Sequence, residues 1–304
     1  MCGFVMLPEK SVVSFQKVNG SDGAELKNAI RSALRYSGFD FKDERNIVIK
    51  PNMCYYWDFS TGYTTDPKFV GALIEVIREK VPNAEISVVE ADASAMKCKY
   101  AFRLLGFEDL ARDYGVNLVN LSKDETEKVQ IAVNGHEFNF LVPNTIRSAD
   151  LRINVPKPKY MDKTTITCAL KNVFGCNPEP LKYKLHPFLD EAIVAINKIM
   201  KFDLCVLDGL MVTGVSPRRL GLVMASRDPV AFDSAVARLM GVKPGRVRHL
   251  RLAEEEGLGT RRYGVEGVDP GVFQENFPKR TMISKFLVKA YRFALWSGLL
   301  KTEM

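Results

Sequence analysis

The chain has 304 residues, 46% of them hydrophobic, which is enough to bury a large core and too apolar for a disordered protein. No apolar run approaches the ~18 residues of a spanning helix, and the start of the chain lacks a basic stretch followed by an apolar one, so neither an integral membrane protein nor a secreted one is expected. A formal charge of +7 and an isoelectric point near 9.0 favour anionic partners such as a metabolite, a membrane surface or nucleic acid.

Residues 11–18 read as a first strand, and Ser21-Asp22 opens a helix whose Leu26, Ala29, Ile30, Ala33 and Leu34 follow helical spacing. The β-branched run at 46–49 is a strand that stops at Lys50-Pro51-Asn52, because proline cannot donate to a central ladder. Asp66-Pro67 supplies an N-cap and an N1 proline for a helix buried through Val70, Leu73, Ile74 and Ile77. Strands at 85–90 and 116–121 flank a helix at 102–114, and this alternation is what a parallel sheet with crossover helices produces.

Between 122 and 144 the pattern changes to two short alternating runs joined by Asn134-Gly135, a strong hairpin signal. The parallel pattern returns with a strand at 151–155, helices at about 165–174 and 189–200, strands at 203–207 and 222–225, and a helix from Asp228-Pro229 to Met240 that Gly241 stops. The expected architecture is α/β: a largely parallel sheet with helices on both faces, a small hairpin insertion at about 122–144, and a C-terminal amphipathic helix. The α/β domain is placed at 1–275 and the basic helix at 276–304. That helix, with Phe286, Leu287, Tyr291 and Trp296 interleaved with lysine and arginine, either docks on protein or lies on anionic lipid.

The six cysteines have no paired spacing and none forms a C-x-x-C, so reduced thiols in a cytoplasmic protein are expected, and no ferredoxin-type cysteine motif is present. A metal or a cluster assembled by folding stays open as a cofactor.

In open α/β sheets, ligands bind beyond the carboxyl ends of the strands. The residues that follow the expected strands are unusually polar: Lys50 and Asn52, Glu90 and Asp92, Asn154, Lys157 and Lys159, and Asp208. Pro156 and Pro158 hold the Lys157 and Lys159 segment extended, and Lys171 on the following helix is placed to converge with them on a phosphate or carboxylate. Anion binding is preferred here to covalent lysine chemistry. Thr64 and Thr65 precede a helix start, which suits either an anion or ordinary capping. His186, among lysines, is open as metal ligand, acid/base or surface residue, whereas His136 and His249 are expected to be exposed. Asp233, inside the helix after Asp228, needs a partner, with a buried lysine pair preferred to catalysis or metal binding.

Taken as a set, Ile49-Lys50-Pro51-Asn52, Gly62-Tyr63-Thr64-Thr65-Asp66-Pro67, Ile153-Asn154-Val155-Pro156-Lys157 and Ala169-Leu170-Lys171-Asn172-Val173-Phe174-Gly175 resemble the family catalogued as domain of unknown function 362. Downstream, His186, Asp208-Gly209, the Asp228 to Asp233 run and Gly257-Leu258-Gly259 continue the match, which spans about 45–260. Members often carry an appended ferredoxin-like iron–sulfur module, which implies an iron–sulfur partner protein for a chain that lacks one. Lys157-Pro158-Lys159-Tyr160 stands where the family tends to have Lys-x-His. A looser resemblance, in layout only, is to lactate racemase-like proteins, whose lysine and histidines hold a nickel pincer cofactor.

The expected function is an enzyme that binds an anionic small metabolite at the carboxyl rim. Lys50, Asn52, Thr64, Thr65, Asn154, Lys157, Lys159 and Asn172 would bind it, with Lys171, His186, Asp208 and Asp233 as catalytic members and the last three as metal candidates. A non-catalytic accessory or electron-transfer partner of an iron–sulfur protein is the alternative. Peripheral membrane contact through the C-terminal helix is compatible with both, and nucleic-acid binding is disfavoured for want of a reader motif.

Overall fold

Short strand-forming runs, three to nine residues long, alternate with helical stretches, and in the computed structural model, which describes residues 11–279 apart from Ser21 and Val215, they form twelve strands and ten helices. In chain order these are β1 (Ser11–Lys17), α1 (Gly23–Tyr36), β2 (Asn46–Pro51), α2 (Pro67–Arg78), β3 (Glu85–Glu90), α3 (Cys98–Leu104), α4 (Phe107–Tyr114) and β4 (Asn117–Asn120). Then come β5 (Thr126–Val133), β6 (His136–Pro143), α5 (Asn144–Arg147), β7 (Leu151–Val155), β8 (Lys159–Met161), β9 (Thr165–Thr167), α6 (Ala169–Val173) and α7 (Leu189–Ile199). The chain continues through β10 (Leu204–Val212), β11 (Arg218–Ser226), α8 (Pro229–Leu239), α9 (Arg248–Glu255), β12 (Tyr263–Gly267) and α10 (Gly271–Gln274).

Eight strands make one sheet in the order β12-β1-β11-β10-β7-β2-β3-β4. All run the same way except β11, which pairs antiparallel with both β1 and β10. Alternate side chains of each strand feed two separate apolar cores. Ile47, Ile49, Ile153 and Val206 pack with α1 and α2 on one face, while Val48, Leu207 and Met224 pack with α6, α7, α8 and the β5-β6 hairpin on the other. This is an α/β fold with a mostly parallel sheet covered on both faces.

The hairpin forms in register from Thr126↔Pro143 to Val133↔His136, and both Asn134 and Gly135 take positive φ, as a tight primed turn demands. Other expectations change. The helix expected over 102–114 is two helices, because Gly106 at φ +80° breaks it and starts α4. The helix expected from about 165 begins only at Ala169, because 165–167 pairs with β8 in a second small hairpin. The edge strand β12, too polar to read as a strand, is recruited by parallel pairing with β1. The C-terminal helix expected over 276–304 lies almost wholly outside the described residues. Among those residues, no helix is long and apolar enough to cross a membrane.

Candidate functional site at the carboxyl rim

Because β2, β3, β7 and β10 lie side by side and point the same way, the residues at their carboxyl ends meet on one rim. Lys50 and Glu90 leave neighbouring strands and form an ion pair of 2.7 Å, with side chains 1% and 4% exposed. Lys157 and Asp208 form another at 3.2 Å, 1% and 0% exposed, and Lys157 Nζ also donates to the Met211 carbonyl at 2.6 Å. Asp208 further accepts the backbone N–H groups of Asp66 and Leu210. These two lysines already have their counterions.

Three asparagines bind the rim together. Asn172 Nδ2 donates to Asn154 Oδ1 at 2.7 Å and to the Lys50 carbonyl at 3.2 Å, and Asn52 Nδ2 donates to Asn172 Oδ1 at 2.8 Å. Asn154 in turn donates to the Ala169 carbonyl, fixing α6 against β7. The Thr65 hydroxyl donates to the Val155 carbonyl at 2.9 Å and accepts the Asn52 N–H at 2.8 Å, while Thr64 accepts the Cys54 N–H. Gly62, at φ +74°, brings this threonine loop so close to β10 that a Cβ would stand 2.5 Å from the Thr213 nitrogen. Both threonines are buried, and their hydroxyls brace the loop.

Lys159 and Lys171 differ from the other two lysines. Lys159, 4% exposed, donates to Asn52 Oδ1 and to the Tyr63 carbonyl, both neutral acceptors. Lys171, partly buried, has neither a hydrogen-bond nor an ion-pair partner among the described residues. Burial, with further repulsion from Lys171 and Lys157, pulls the Lys159 ammonium down to about 8; burial likewise lowers Lys171. The half-buried Cys54 thiol interacts electrostatically with both. Lys159 and Lys171 are thus neighbouring ammonium groups with no carboxylate beside them among the described residues.

The other candidates stand elsewhere. Asp233, pushed up to about 6 by burial, accepts the N–H groups of Ala169 and Leu170 at 2.7 and 3.0 Å, so its partners are the first turn of α6 and not the lysine expected for it. Asp228 caps α8 and also accepts the Thr260 N–H; a side chain at Gly259 would collide with its carboxylate, while Gly257 takes φ +75°. His186 is exposed, 3.0 Å from Lys163 Nζ, and its pKa is lowered by partial burial and by Lys163 and Lys171. It therefore accepts from the Lys163 ammonium as a neutral ring.

His249 is a correction: expected to be exposed among arginines, it is 0% exposed, because α9 turns His249, Leu250 and Ala253 inward and Arg248 and Arg251 outward. Its Nδ1 lies 3.3 Å from Asp190 Oδ1, too poorly aligned for a hydrogen bond. His136 is half-buried and stacks on Phe188 with centroids 4.2 Å apart. Arg248 pairs with Glu191 and Arg261 with Glu254, so part of the C-terminal basic excess is neutralised locally.

Among the described residues no three His, Cys, Asp or Glu side chains converge to hold a metal ion. A metal or cluster site built from three or more of these side chain types is therefore not assembled by the described residues. Strand-end charges do not point to one further feature of the rim: Tyr55, Tyr56, Trp57, Phe59 and Tyr63 fall in one nine-residue stretch of the loop after β2.

The family model described as Domain of unknown function (DUF362) matches residues 47–238. The chain belongs to this family. The match covers the strands and loops that build the rim, from β2 to α8. The DUF362 chain is 30% identical over 263 residues to the Thylakoid-associated protein sll1697 of Synechocystis sp., covering 81% of this chain and 79% of that protein. It also aligns with the lactate racemase apoprotein from Thermoanaerobacterium thermosaccharolyticum at a TM-score of 0.47 and 12% identity, covering 76% of this chain and 57% of that one. The DUF362 chain thus spans little more than half of that solved structure.

Proposed function

We propose that this protein is an enzyme that binds a small anionic metabolite at the carboxyl rim, with Lys159 and Lys171 supplying the charge. The observation that carries this reading is the contrast among four lysines: Lys50 and Lys157 are paired with Glu90 and Asp208, whereas Lys159 and Lys171 face no carboxylate among the described residues. A buried ammonium without a counterion is costly, and an incoming carboxylate or phosphate relieves that cost. The asparagine and threonine network is rigid support, which lowers the ordering cost of binding.

A lysine at about 8 is matched to proton transfer near neutrality, so Lys159 is the proposed acid/base. Lys171 orients the anion, and its charge reaches His186 at the surface, where it helps to keep that ring neutral. In this reading Lys50, Lys157, Asp208, Asn52, Asn154, Asn172, Thr64 and Thr65 hold the geometry, and Asp233 holds α6. Replacing Lys171 by methionine should abolish binding of inorganic phosphate or acetate, followed by titration calorimetry, and leave the unfolding midpoint unchanged or higher. Unaltered affinity removes Lys171 from the site.

Peripheral membrane association is a second reading. The name of the thylakoid-associated relative favours it, and exposed aromatic side chains at the rim are compatible with it. Sedimentation with anionic vesicles tests it; protein that stays in the supernatant counts against it.

A further inference from the structure

We infer that the anion taken by this site carries a planar aromatic ring, which stacks on the loop after β2 while its charged group reaches Lys159 and Lys171. The inference rests on the reading of the rim as an anion site and names the class of anion.

The loop places large aromatic surface in water beside the unpaired cations. Tyr55 is 52% exposed, Trp57 55% and Tyr63 37%, and the Trp57 and Tyr63 rings stand 6.3 Å apart at an interplanar angle of 38°. The same segment is bonded to the site: Lys159 Nζ donates to the Tyr63 carbonyl at 3.1 Å, and the Cys54 N–H next to Tyr55 is held by Thr64. Tyr56 is pinned through its hydroxyl, which accepts the Lys97 N–H at 2.9 Å, but among the described residues the Trp57 and Tyr55 side chains have no such tether. Tyr55 also sits at φ +53°, a true outlier for a bulky residue and of the sort that clusters at ligand sites. Aromatic faces of this kind recognise planar rings through stacking, and the recessed ammonium groups recognise the charge.

A lipid surface would use the same residue types, but the placement of the cations favours a small molecule. Lys159 is only 4% exposed. A lysine that serves a bilayer extends its head group into the interface, whereas this one is withdrawn against the Tyr63 carbonyl and Asn52.

The test compares phenyl phosphate with inorganic phosphate, and benzoate with acetate, by titration calorimetry on the full chain and on its Trp57→Ala, Trp57→Phe and Lys171→Met variants. In at least one pair the aromatic anion should bind about tenfold tighter than the simple one, as a single stacked ring contributes. Trp57→Ala should remove that increment and leave the simple anion's affinity unchanged, Trp57→Phe should restore most of it, and Lys171→Met should abolish both. Simple anions that bind with no aromatic advantage overturn this inference alone. Failure of every anion to bind overturns the anion site as well. If phosphatidylglycerol vesicles capture the protein in a Trp57-dependent way and neither pair shows an increment, the loop is a membrane contact and the inference falls.

Discussion

The Lys157 ammonium lies 3.2 Å from Asp208 Oδ2 with both side chains closed to solvent, which makes it part of the framework around the site and distinguishes it from Lys159 two residues on. Replacing Lys157 by methionine leaves Asp208 buried and unpaired. A loss of about 3–5 kcal/mol in urea unfolding is expected. Lys157→Met paired with Asp208→Leu should recover most of it, and a single variant as stable as the parent would show that the pair is not closed to water.

Anion affinity should depend on pH through Lys159. Its folded pKa of about 8 lies below the ordinary lysine value of 10.5, so the free protein loses the attracting charge as pH rises past 8. Affinity should fall between pH 7 and 9, and binding near pH 8 should take up protons, seen as a dependence of the calorimetric enthalpy on buffer ionisation. For stability the sign is opposite: between about 8 and 10.5 the unfolded chain holds a proton that the folded one has released, so this residue makes stability rise with pH in that window. An affinity that is flat from pH 7 to 9 would exclude Lys159.

Asp233 should matter for folding and not for affinity alone. Its carboxylate receives two buried N–H groups of α6, so Asp233→Ala should cost about 2–3 kcal/mol in denaturant unfolding. With a folded pKa raised to about 6 from 3.8, the folded state binds the extra proton between those values, and stability should decline as pH rises from about 4 to 6. Asp233→Asn should remove that pH dependence.

Cys54 is half-buried while the other described cysteines, at 98, 168, 176 and 205, are buried. Burial also raises the thiols of Cys98, Cys168, Cys176 and Cys205 above their ordinary value, which keeps them unreactive. Among these five, brief iodoacetamide treatment followed by peptide mass spectrometry should modify Cys54 first, and a saturating anion should protect it because Lys159 and Lys171 lie beside it. Equal labelling with and without the anion would place the ligand elsewhere.

The alternating layout of this chain is legible in the sequence, because hydrophobic periodicity is a local property. The runs at 46–49, 85–90 and 151–155 are short and rich in β-branched apolar residues, which reads as strands, and Asp66-Pro67 and Asp228-Pro229 are local start signals that α2 and α8 obey. The direction of β11 and the recruitment of polar β12 were not legible, since both depend on pairing with strands distant in the chain. The rim was legible as a set because each polar residue follows its own strand. Which lysines were already neutralised was not: Glu90 reaches Lys50 only because β2 and β3 are neighbours in register, and Asp208 reaches Lys157 only because β10 lies beside β7. His249 shows the same limit, for a histidine among arginines reads as exposed until the packing of α9 turns one face of that helix inward. Sequence by itself determined the order of the elements and the residue types delivered to the rim; tertiary structure alone decided which charges found partners, because Coulomb interactions and burial depend on separations through space that local patterns do not encode.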